Sequence, residues 1–267
     1  MKSFLPWFRH FSEFFHAMTD AAQRQRSYWD GLAGADRDAA VIDPRDRRGL
    51  KNAYLAGTRD QVFARTLAAH GVERAVVLDL GAGTGSAALP LLMAGQHVLG
   101  VDISLGLLRH AQQRCCAAGG LFVLTDGHSL PLHSSCLDAA VVYVVLSYLV
   151  DDAVACSLLE NLRGVLKPGA VLVMIEQARV RRLYCEEGLK VQRSIAEWKG
   201  LLQQAGFVSV ESSVVRHGRF PATPLIKLGL LPRFLWPAMR RLEVTVGRLF
   251  GILPWDYAEV RFVAVAP

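Results

Sequence analysis

A glycine-rich segment directly follows a short apolar run near residue 80. The run Val76-Val77-Leu78-Asp79-Leu80 carries one acid and leads into Gly81-Ala82-Gly83-Thr84-Gly85. Glycine tolerates positive φ and lets a ligand approach the backbone closely, and the start of a following helix offers free N–H groups. This order predicts a turn that cradles a cofactor, formed by Asp79, Gly81, Ala82, Gly83 and Gly85.

A second acid ends the next apolar run. Asp102 follows Val98-Leu99-Gly100-Val101 and is itself followed by Ile103. A carboxylate at the end of a second strand can accept both hydroxyls of a ribose. We therefore expect Asp102 to hold the sugar of a nucleoside-containing cofactor, with Ile103 beside it in the same site.

Apolar runs and helical segments alternate along the chain after residue 75. Strands are predicted at 75–80, 97–101, 121–125, 139–145, 171–175, 207–215 and 258–266. Ser104 and Asp151 are expected to cap two of the intervening helices. Nearly all-apolar strands joined by helical crossovers imply a parallel sheet covered on both faces. The sequence thus predicts a doubly wound α/β fold with a mostly parallel, seven-stranded sheet.

Helical periodicity also marks the segments outside the sheet. Residues 4–18 carry five large apolar side chains at helical spacing, a second helix is expected at 50–70, and a further apolar stripe falls within 220–256. The stripe consists of Met239, Leu242, Val246 and Phe250. We predict an N-terminal helical lid over 1–72 and a cofactor-binding domain over 73–267, with a helical cap inserted at about 220–256 before the last strand.

With these motifs in order, roughly residues 50 to 180 resemble the class I S-adenosylmethionine-dependent methyltransferases, in particular the group called type 11. Residues 79–85 resemble the family's first motif, which wraps the methionine part of the cofactor, and Asp102 matches its ribose-binding acid. Thr125-Asp126-Gly127 is similar to the motif that reads the adenine. The segment from Leu137 to Tyr143 resembles the approach to the fourth strand, and 166–170 resembles the turn into the fifth. The resemblance implies S-adenosylmethionine as cofactor, bound also by Asp126, Gly127 and Tyr143.

Other interpretations of these residues remain open. Nicotinamide enzymes also pair a glycine-rich turn with an acid, but their fingerprint asks for Gly or Ala where Ser86 stands. Methyl transfer is therefore favoured over hydride transfer. Asp79 and Asp126 are also typical of acids that bond turn amides, and Tyr143 is also typical of a core aromatic.

The sequence does not choose a catalytic base. His128, His133, Tyr148, Glu176 and His217 are all candidates if the acceptor is a hydroxyl. Glu176 and His217 are preferred because they end strands at the edge where ligands gather in open α/β sheets, although a structural polar role fits both. Residues 43–54 resemble a segment of some bacterial glycan and natural-product methyltransferases, which implies that Tyr54 or Arg59 reaches the cofactor's carboxylate.

Composition favours a small acceptor. Apolar residues make up 52% of the 267 residues, and the formal net charge of +6 is modest. The basic residues are scattered, and no motif typical of nucleic-acid methyltransferases is present, so no nucleic-acid partner is expected. We predict a small-molecule, glycan or lipid-linked acceptor, methylated at oxygen. The alternative is a protein of the same fold that binds cofactor or a partner without turnover.

The remaining expectations concern location and metals. The five cysteines show no metal-ligand or disulfide spacing, so we expect no metal and a cytoplasmic protein without a transmembrane helix. The cap is rich in leucine and arginine, including Arg233, Arg240, Arg241 and Arg248, and the N-terminal helix is rich in phenylalanine. Both are compatible with peripheral contact to an anionic membrane, although closure over the pocket explains them as well.

Overall fold

The computed structural model describes residues 20–34, 42–43, 45–251 and 257–267. Within these residues, nine strands form one sheet whose parallel part has the order β3-β2-β1-β4-β5. The strands are β1 (Val76–Leu80), β2 (His97–Asp102), β3 (Leu121–Leu124), β4 (Leu137–Tyr143), β5 (Leu166–Arg179), β6 (Leu183–Cys185), β7 (Lys190–Ser194), β8 (Val208–His217) and β9 (Ala258–Val265).

The last two strands close the sheet in the antiparallel sense. β9 pairs antiparallel with both β5 and β8, so the order of the main sheet is β3-β2-β1-β4-β5-β9-β8. These are the seven strands that the sequence predicts, and the α/β fold class is confirmed. Five parallel strands in succession place their carboxyl ends at one edge, where loops from different strands meet.

Two additional strands correct the predicted number of seven. β7 pairs parallel with the end of β5 at Ala178 and Arg179, and β6 pairs antiparallel with β7. Both are short. β6 is mostly exposed, whereas β7 carries the polar residues Gln192 and Arg193, which are buried in the structure. Neither strand has the apolar alternation by which a strand is recognised in sequence.

Eight helices among the described residues surround the sheet. They are α1 (Asp20–Leu32), α2 (Leu50–Ala69), α3 (Ala88–Met93), α4 (Leu105–Cys115), α5 (Asp152–Val165), α6 (Ile195–Gln204), α7 (Ala222–Lys227) and α8 (Trp236–Phe250). The two predicted N-caps are confirmed, since the Ser104 side chain accepts from Leu107 N and that of Asp151 from Ala153 N. The predicted helix at 4–18 lies outside the described residues.

Two apolar layers fix the helices on the two faces of the sheet. Leu78 and Leu80 of β1 pack in one cluster with residues of α5 and α6. Val77 packs in the other cluster with Phe63 and Leu67 of α2. Side chains alternate across a strand, so β1 presents successive residues to opposite layers. Asp79 falls on the same face of β1 as Val77, at the end of that layer.

The division of the chain into two parts at residue 72 stays a prediction, although α2 packs directly on the sheet.

Helices α7 and α8 lie between β8 and β9, within the range predicted for an inserted cap. Of the predicted apolar stripe, Met239 and Val246 pack against a cluster around Trp236, whereas Leu242 and Phe250 are exposed. The fully buried polar residue of α8 is Glu243. Its carboxylate accepts a hydrogen bond from the Tyr54 hydroxyl. This paired polar group therefore occupies the inner face of α8, and part of the predicted apolar stripe lies at the surface instead.

The long, uniformly apolar segment needed to cross a bilayer occurs in none of the described helices.

Candidate functional site

A cavity of about 330 Å³ lies at the carboxyl edge of the parallel strands. The segments that follow β1, β2, β3 and β4 all line it, and α1, the start of α5 and residues 187–189 complete its wall. It is thus formed where open α/β sheets bind their ligands. The predicted cofactor residues at the cavity are Asp79, Gly81, Ala82, Gly83, Asp102, Ile103, Asp126, Gly127 and Tyr143.

The glycine-rich turn is held by the end of β2. The N–H groups of Gly81 and Ala82 donate to the carbonyl of Val101 at 2.8 and 2.9 Å. Gly81 has φ +73°, and a Cβ on it would lie 2.2 Å from a methyl group of Val145. A side chain at position 81 would therefore strain the backbone and collide with the loop after β4.

Gly85 has a different role from the one predicted. It does not line the cavity, and a Cβ at this position would lie 3.0 Å from Cys115 Sγ and 3.1 Å from the Cα of Ala111. Both residues belong to α4. Gly85 therefore allows close packing of the turn against a helix behind the cavity.

Asp79 is buried at the base of the cavity, with 2% of its surface exposed. Within the described part of the chain, its Oδ2 atom has no hydrogen-bond partner. Burial raises the pKa of Asp79 to about 7, against the attraction of Arg59 and with a smaller contribution from Asp102. A buried carboxylate oxygen without a partner is costly, so this position suits a cationic or N–H-bearing ligand group.

Asp102 links the turn to the start of α4. Its Oδ2 accepts the N–H of Gly83 at 2.8 Å, and its Oδ1 accepts that of Ser104 at 2.9 Å. Burial raises the pKa of Asp102, whereas the backbone bonds from Ser104, Gly83 and Ile103 oppose that rise. A carboxylate has about four acceptor sites, so beside these backbone bonds Asp102 retains capacity for a further donor such as a ribose hydroxyl.

Asp126 accepts hydrogen bonds from amides of its own turn, which was the alternative interpretation of this residue. It also lines the cavity. Its Oδ1 accepts the N–H groups of His128 and Ser129, both at 2.8 Å. Gly127 has φ +82°, and a Cβ there would lie 2.8 Å from Ile103. The two interpretations of Asp126 are therefore compatible, because the local bonds fix the carboxylate at the cavity wall.

Arg59 and Tyr143 form a further part of the wall. The Arg59 side chain is 2% exposed, and its guanidinium donates to the Ser86 carbonyl at 2.7 Å and to the Ser86 hydroxyl at 3.0 Å. The same guanidinium lies 5.2 Å from the centre of the Tyr143 ring. It also donates to Asp60 Oδ1 from Nε at 2.9 Å and from Nη2 at 2.7 Å. Arg59 is thus a buried, ion-paired cation at the cavity, close enough to Asp79 to oppose the rise of that residue's pKa. Tyr54, predicted together with Arg59, does not line the cavity.

Comparison with known proteins agrees with this geometry. Residues 77–169 match a family model described as a methyltransferase domain. A demethylmenaquinone methyltransferase of Parafrankia sp. is 30% identical over 188 residues, which are 60% of this chain and 72% of that protein. The chain belongs to the class I S-adenosylmethionine-dependent methyltransferase family. The family predicted from the motifs is thereby confirmed.

Two further comparisons describe the range of this methyltransferase family. A ubiquinone/menaquinone biosynthesis C-methyltransferase of Syntrophotalea carbinolica is 35% identical over 116 residues, which are 42% of this chain and 47% of that protein. The chain spans about half the length of the first curated relatives it matches. A solved S-adenosylmethionine-dependent methyltransferase of Leishmania major superposes with a TM-score of 0.65 at 16% identity, over 92% of this chain and 82% of that one. At that identity, the likeness establishes the fold.

Neither preferred base of this methyltransferase-family chain reaches the cavity. Glu176 is fully buried and accepts the N–H groups of Val145 and Leu146 and the Ser147 hydroxyl, so it fixes the loop after β4. Because β5 extends to Arg179, Glu176 lies inside this strand. His217 does end β8 and is fully buried, but β8 lies two strands beyond β5 at the far side of the sheet. Of the other candidates, His128 and Tyr148 line the cavity and His133 does not.

Helix α1 supplies wall residues that the sequence did not indicate. Gln25 Nε2 donates to the carbonyl of Tyr148 at 3.0 Å and to that of Leu189 at 2.7 Å, and Arg26 Nε donates to the carbonyl of Ile103 at 2.9 Å. The ring of Trp29 lies 4.9 Å from that of Tyr148. These bonds join residues more than 70 positions apart, so no local pattern in the helix could have indicated them.

Proposed function

We propose that this chain is an S-adenosylmethionine-dependent methyltransferase that acts on a small aromatic acceptor of the quinone-precursor class, at carbon. The observation that carries the proposal is the unpartnered Oδ2 of Asp79 beside the turn that Asp102 holds. The names of the relatives support a quinone-type acceptor, and one names a carbon-methylating enzyme. The oxygen acceptor expected from the sequence has no such support.

The residues at the cavity fit the parts of this cofactor. We assign the cofactor's ammonium group to Asp79, its carboxylate to Arg59 and its ribose to Asp102, by opposite charge and hydrogen bonding. The wall formed by Ile103, Asp126 and Gly127 would take the adenine. When bound, the cofactor supplies a methyl group on a sulfonium, and the residues that line the cavity would orient the acceptor towards it.

The part of the lining that α1, the loop after β4, α5 and Leu189 contribute is mostly apolar and suits a flat, poorly hydrated acceptor. Its residues are Trp29, Tyr148, Leu149, Val150, Val154, Leu158 and Leu189. We further propose that α1 acts as a lid over this acceptor. The bonds of Gln25 to the Tyr148 and Leu189 carbonyls support this role, because they tie α1 to both sides of the wall.

Removal of a proton from a ring hydroxyl of a hydroquinone makes a ring carbon nucleophilic. That carbon would take the methyl group as the S–CH3 bond breaks, and loss of its own proton would restore the aromatic ring and the hydroxyl. His128 is our candidate base, since it lines the cavity and its Nε2 has no hydrogen-bond partner in the portion of the chain described above. Tyr148 also lines the cavity, but burial and the nearby Glu186 raise the pKa of its hydroxyl. The Tyr148 hydroxyl is therefore suited to orienting an acceptor oxygen rather than to accepting a proton.

Titration calorimetry with S-adenosylmethionine tests the cofactor assignment. Asp102→Asn removes a charged acceptor of two ribose bonds and should weaken binding by roughly 10- to 100-fold. Asp138→Asn is the matched control, because Asp138 is the second residue of β4, at the opposite edge of the sheet, and bonds Lys167 there. Cofactor affinity should be unchanged in this control. Absence of binding by the unmodified chain, or equal binding by Asp102→Asn, would overturn the assignment.

Incubation with methyl-labelled cofactor and the reduced, hydroquinone form of a demethylmenaquinone analogue carrying a short side chain, kept reduced with dithionite, tests the reaction. The expected product carries the label on a ring carbon, which mass spectrometry with fragmentation distinguishes from a methyl ether. His128→Asn should lower the rate while leaving cofactor affinity unchanged. Cofactor binding without transfer to quinone-type, hydroxyl or glycan acceptors would instead support the non-catalytic alternative.

A further inference from the structure

The outer side of the inserted helices exposes an unusual number of large apolar side chains. We define the α7–α8 surface by its exposed apolar residues Leu225, Leu228, Leu230, Phe234, Leu235, Leu242, Leu249 and Phe250. Phe234 and Leu249 are 78% and 72% exposed. Single exposed apolar residues are normal on a protein, but a continuous group of them marks an interaction surface.

The apolar residues of α8 lie along one side of the helix. Leu235 lies just before the helix, and Ala238, Leu242, the polar Thr245 and Leu249 follow it at alternating steps of three and four residues, which places all five in a single row. The opposite side of α8 carries Trp236, Glu243 and Gly247, which are buried against the rest of the chain. The row therefore faces solvent and is continuous with Phe234 just before the helix.

The same surface has a strongly one-sided charge. Residues 219–250 contain six basic residues, Arg219, Lys227, Arg233, Arg240, Arg241 and Arg248, and one acid, the fully buried Glu243. Arg241 and Arg248 alternate with the exposed leucines along α8. No acid in the described part of the chain forms an ion pair with either arginine. Lys227 is compensated by Asp43 at 3.4 Å, so the positive charge that this surface presents to solvent is that of the exposed Arg241 and Arg248.

We propose that the α7–α8 surface docks peripherally on an anionic lipid bilayer. Exposed leucine and phenylalanine side chains can enter the boundary between headgroups and acyl chains while adjacent arginines contact lipid phosphates. The phosphates of a nucleic acid would also pair with the arginines, but a nucleic acid would leave the row of leucines exposed to water. The inference goes beyond the proposed function, because it concerns a surface outside the cavity and does not require methyl transfer.

Co-sedimentation with vesicles tests this surface. The protein should bind vesicles of phosphatidylcholine containing about 30% phosphatidylglycerol more tightly than vesicles of phosphatidylcholine alone, and raising the salt from about 0.1 to 0.5 M should weaken that binding. Arg241→Gln with Arg248→Gln should lower the partition coefficient about 25-fold, since each basic residue contributes about fivefold, or about 1 kcal/mol. Phe234→Ser with Leu249→Ser should lower it at least tenfold on both kinds of vesicle.

Matched controls keep the experiment specific. Met93→Ser with Leu121→Ser removes two similarly exposed apolar side chains elsewhere, and Arg65→Gln with Arg181→Gln removes two exposed charges. Both controls should partition within about twofold of the unmodified protein if docking is confined to the surface. Cofactor binding by every variant checks that the cavity is intact and separates this test from that of the proposed function.

Three results would overturn the proposal. The unmodified protein could fail to bind anionic vesicles, or the surface variants could bind them as well as the controls do. A dimer that dissociates on Phe234→Ser with Leu249→Ser, seen by sedimentation velocity in the absence of vesicle binding, would assign the surface to a second copy of the chain.

Discussion

At the scale of single residues, burial of the ionised Asp79 carboxyl group lowers the stability of the folded chain. Burial raises its pKa to about 7, whereas in the unfolded chain it would have the ordinary aspartate pKa near 4. Between these two values the folded state holds a proton that the unfolded state has lost. Stability should therefore fall as the pH rises from about 4 to about 7, and the full cost is present above pH 7.

Asp79→Asn should stabilise the protein in the absence of cofactor, by on the order of 4 kcal/mol at pH 8, by about 1–2 kcal/mol at pH 5 and by little below pH 4. The reason is that asparagine does not ionise. The cost that Asp79 imposes on the folded state, which grows from about pH 4 to about pH 7, is therefore absent in the variant. Cofactor affinity of the unmodified protein should rise with pH through about 7, because the ionised carboxylate attracts the cofactor's ammonium group. Scanning calorimetry and titration calorimetry from pH 5 to pH 8 measure both effects.

Asp138→Asn is the control of opposite sign. The hydrogen bond from Lys167 and that from the Val76 N–H lower the pKa of Asp138. Its charged form therefore contributes stability above the ordinary aspartate pKa, and that contribution is lost as the pH falls. Asp138→Asn should lower the melting temperature at pH 8. An equal loss of stability by Asp79→Asn at pH 8 and pH 5 would contradict the electrostatic explanation.

At the scale of elements, the glycine-rich turn is positioned by its packing on α4. Gly85 combines a φ of +72° with contacts to Ala111 and Cys115 that leave no room for a Cβ. Gly119, after β2 and α4, has a similar φ of +80°, but a Cβ there would meet no atom within 4 Å. A side chain at Gly119 would therefore meet backbone strain alone, whereas one at Gly85 would meet the same strain and crowding by α4.

Gly119→Ala should cost about 1 kcal/mol of unfolding free energy, because alanine is strained at positive φ. Gly85→Ala should cost roughly 2–5 kcal/mol, because overpacking against α4 adds to the same strain. Urea unfolding of the two variants measures the difference. Equal losses would show that α4 moves aside without cost and that the contact does not position the turn.

At the scale of the whole molecule, a buried ionic network joins the inserted helices to the sheet. Arg216 of β8 bonds Glu259 of β9 at 2.9 Å and lies 3.7 Å from Glu243 of α8, which also accepts from Tyr54 of α2. Arg216 and Glu243 have side chains that are 1% exposed. The cation is therefore shared between two buried carboxylates from elements distant in sequence, and it links the insertion to both the sheet and α2.

Arg216→Met should destabilise the chain by roughly 3–5 kcal/mol, because it leaves Glu243 and Glu259 buried without their cation. Arg182→Met is the matched control. Arg182 also contacts two acids, Asp152 and Glu197, but these groups are partly exposed, so its loss should cost less than about 1 kcal/mol. Denaturant unfolding compares the two. Similar losses would mean that the buried network does not anchor the insertion.

The sequence by itself determined the parallel α/β sheet, the caps at Ser104 and Asp151, and the glycine-rich turn with Asp79 and Asp102 near it. Each depends on a period, a cap or a turn residue within about ten positions, and such local preferences survive in most tertiary contexts. Only the tertiary structure decided that Glu176 fixes a loop, that Gly85 packs on α4 and that α1 closes one wall through Gln25. These outcomes depend on which distant groups meet when the chain packs. The same is true of α8, where pairing of Glu243 with Tyr54 and Arg216 turned an acid inward and left leucines in solvent.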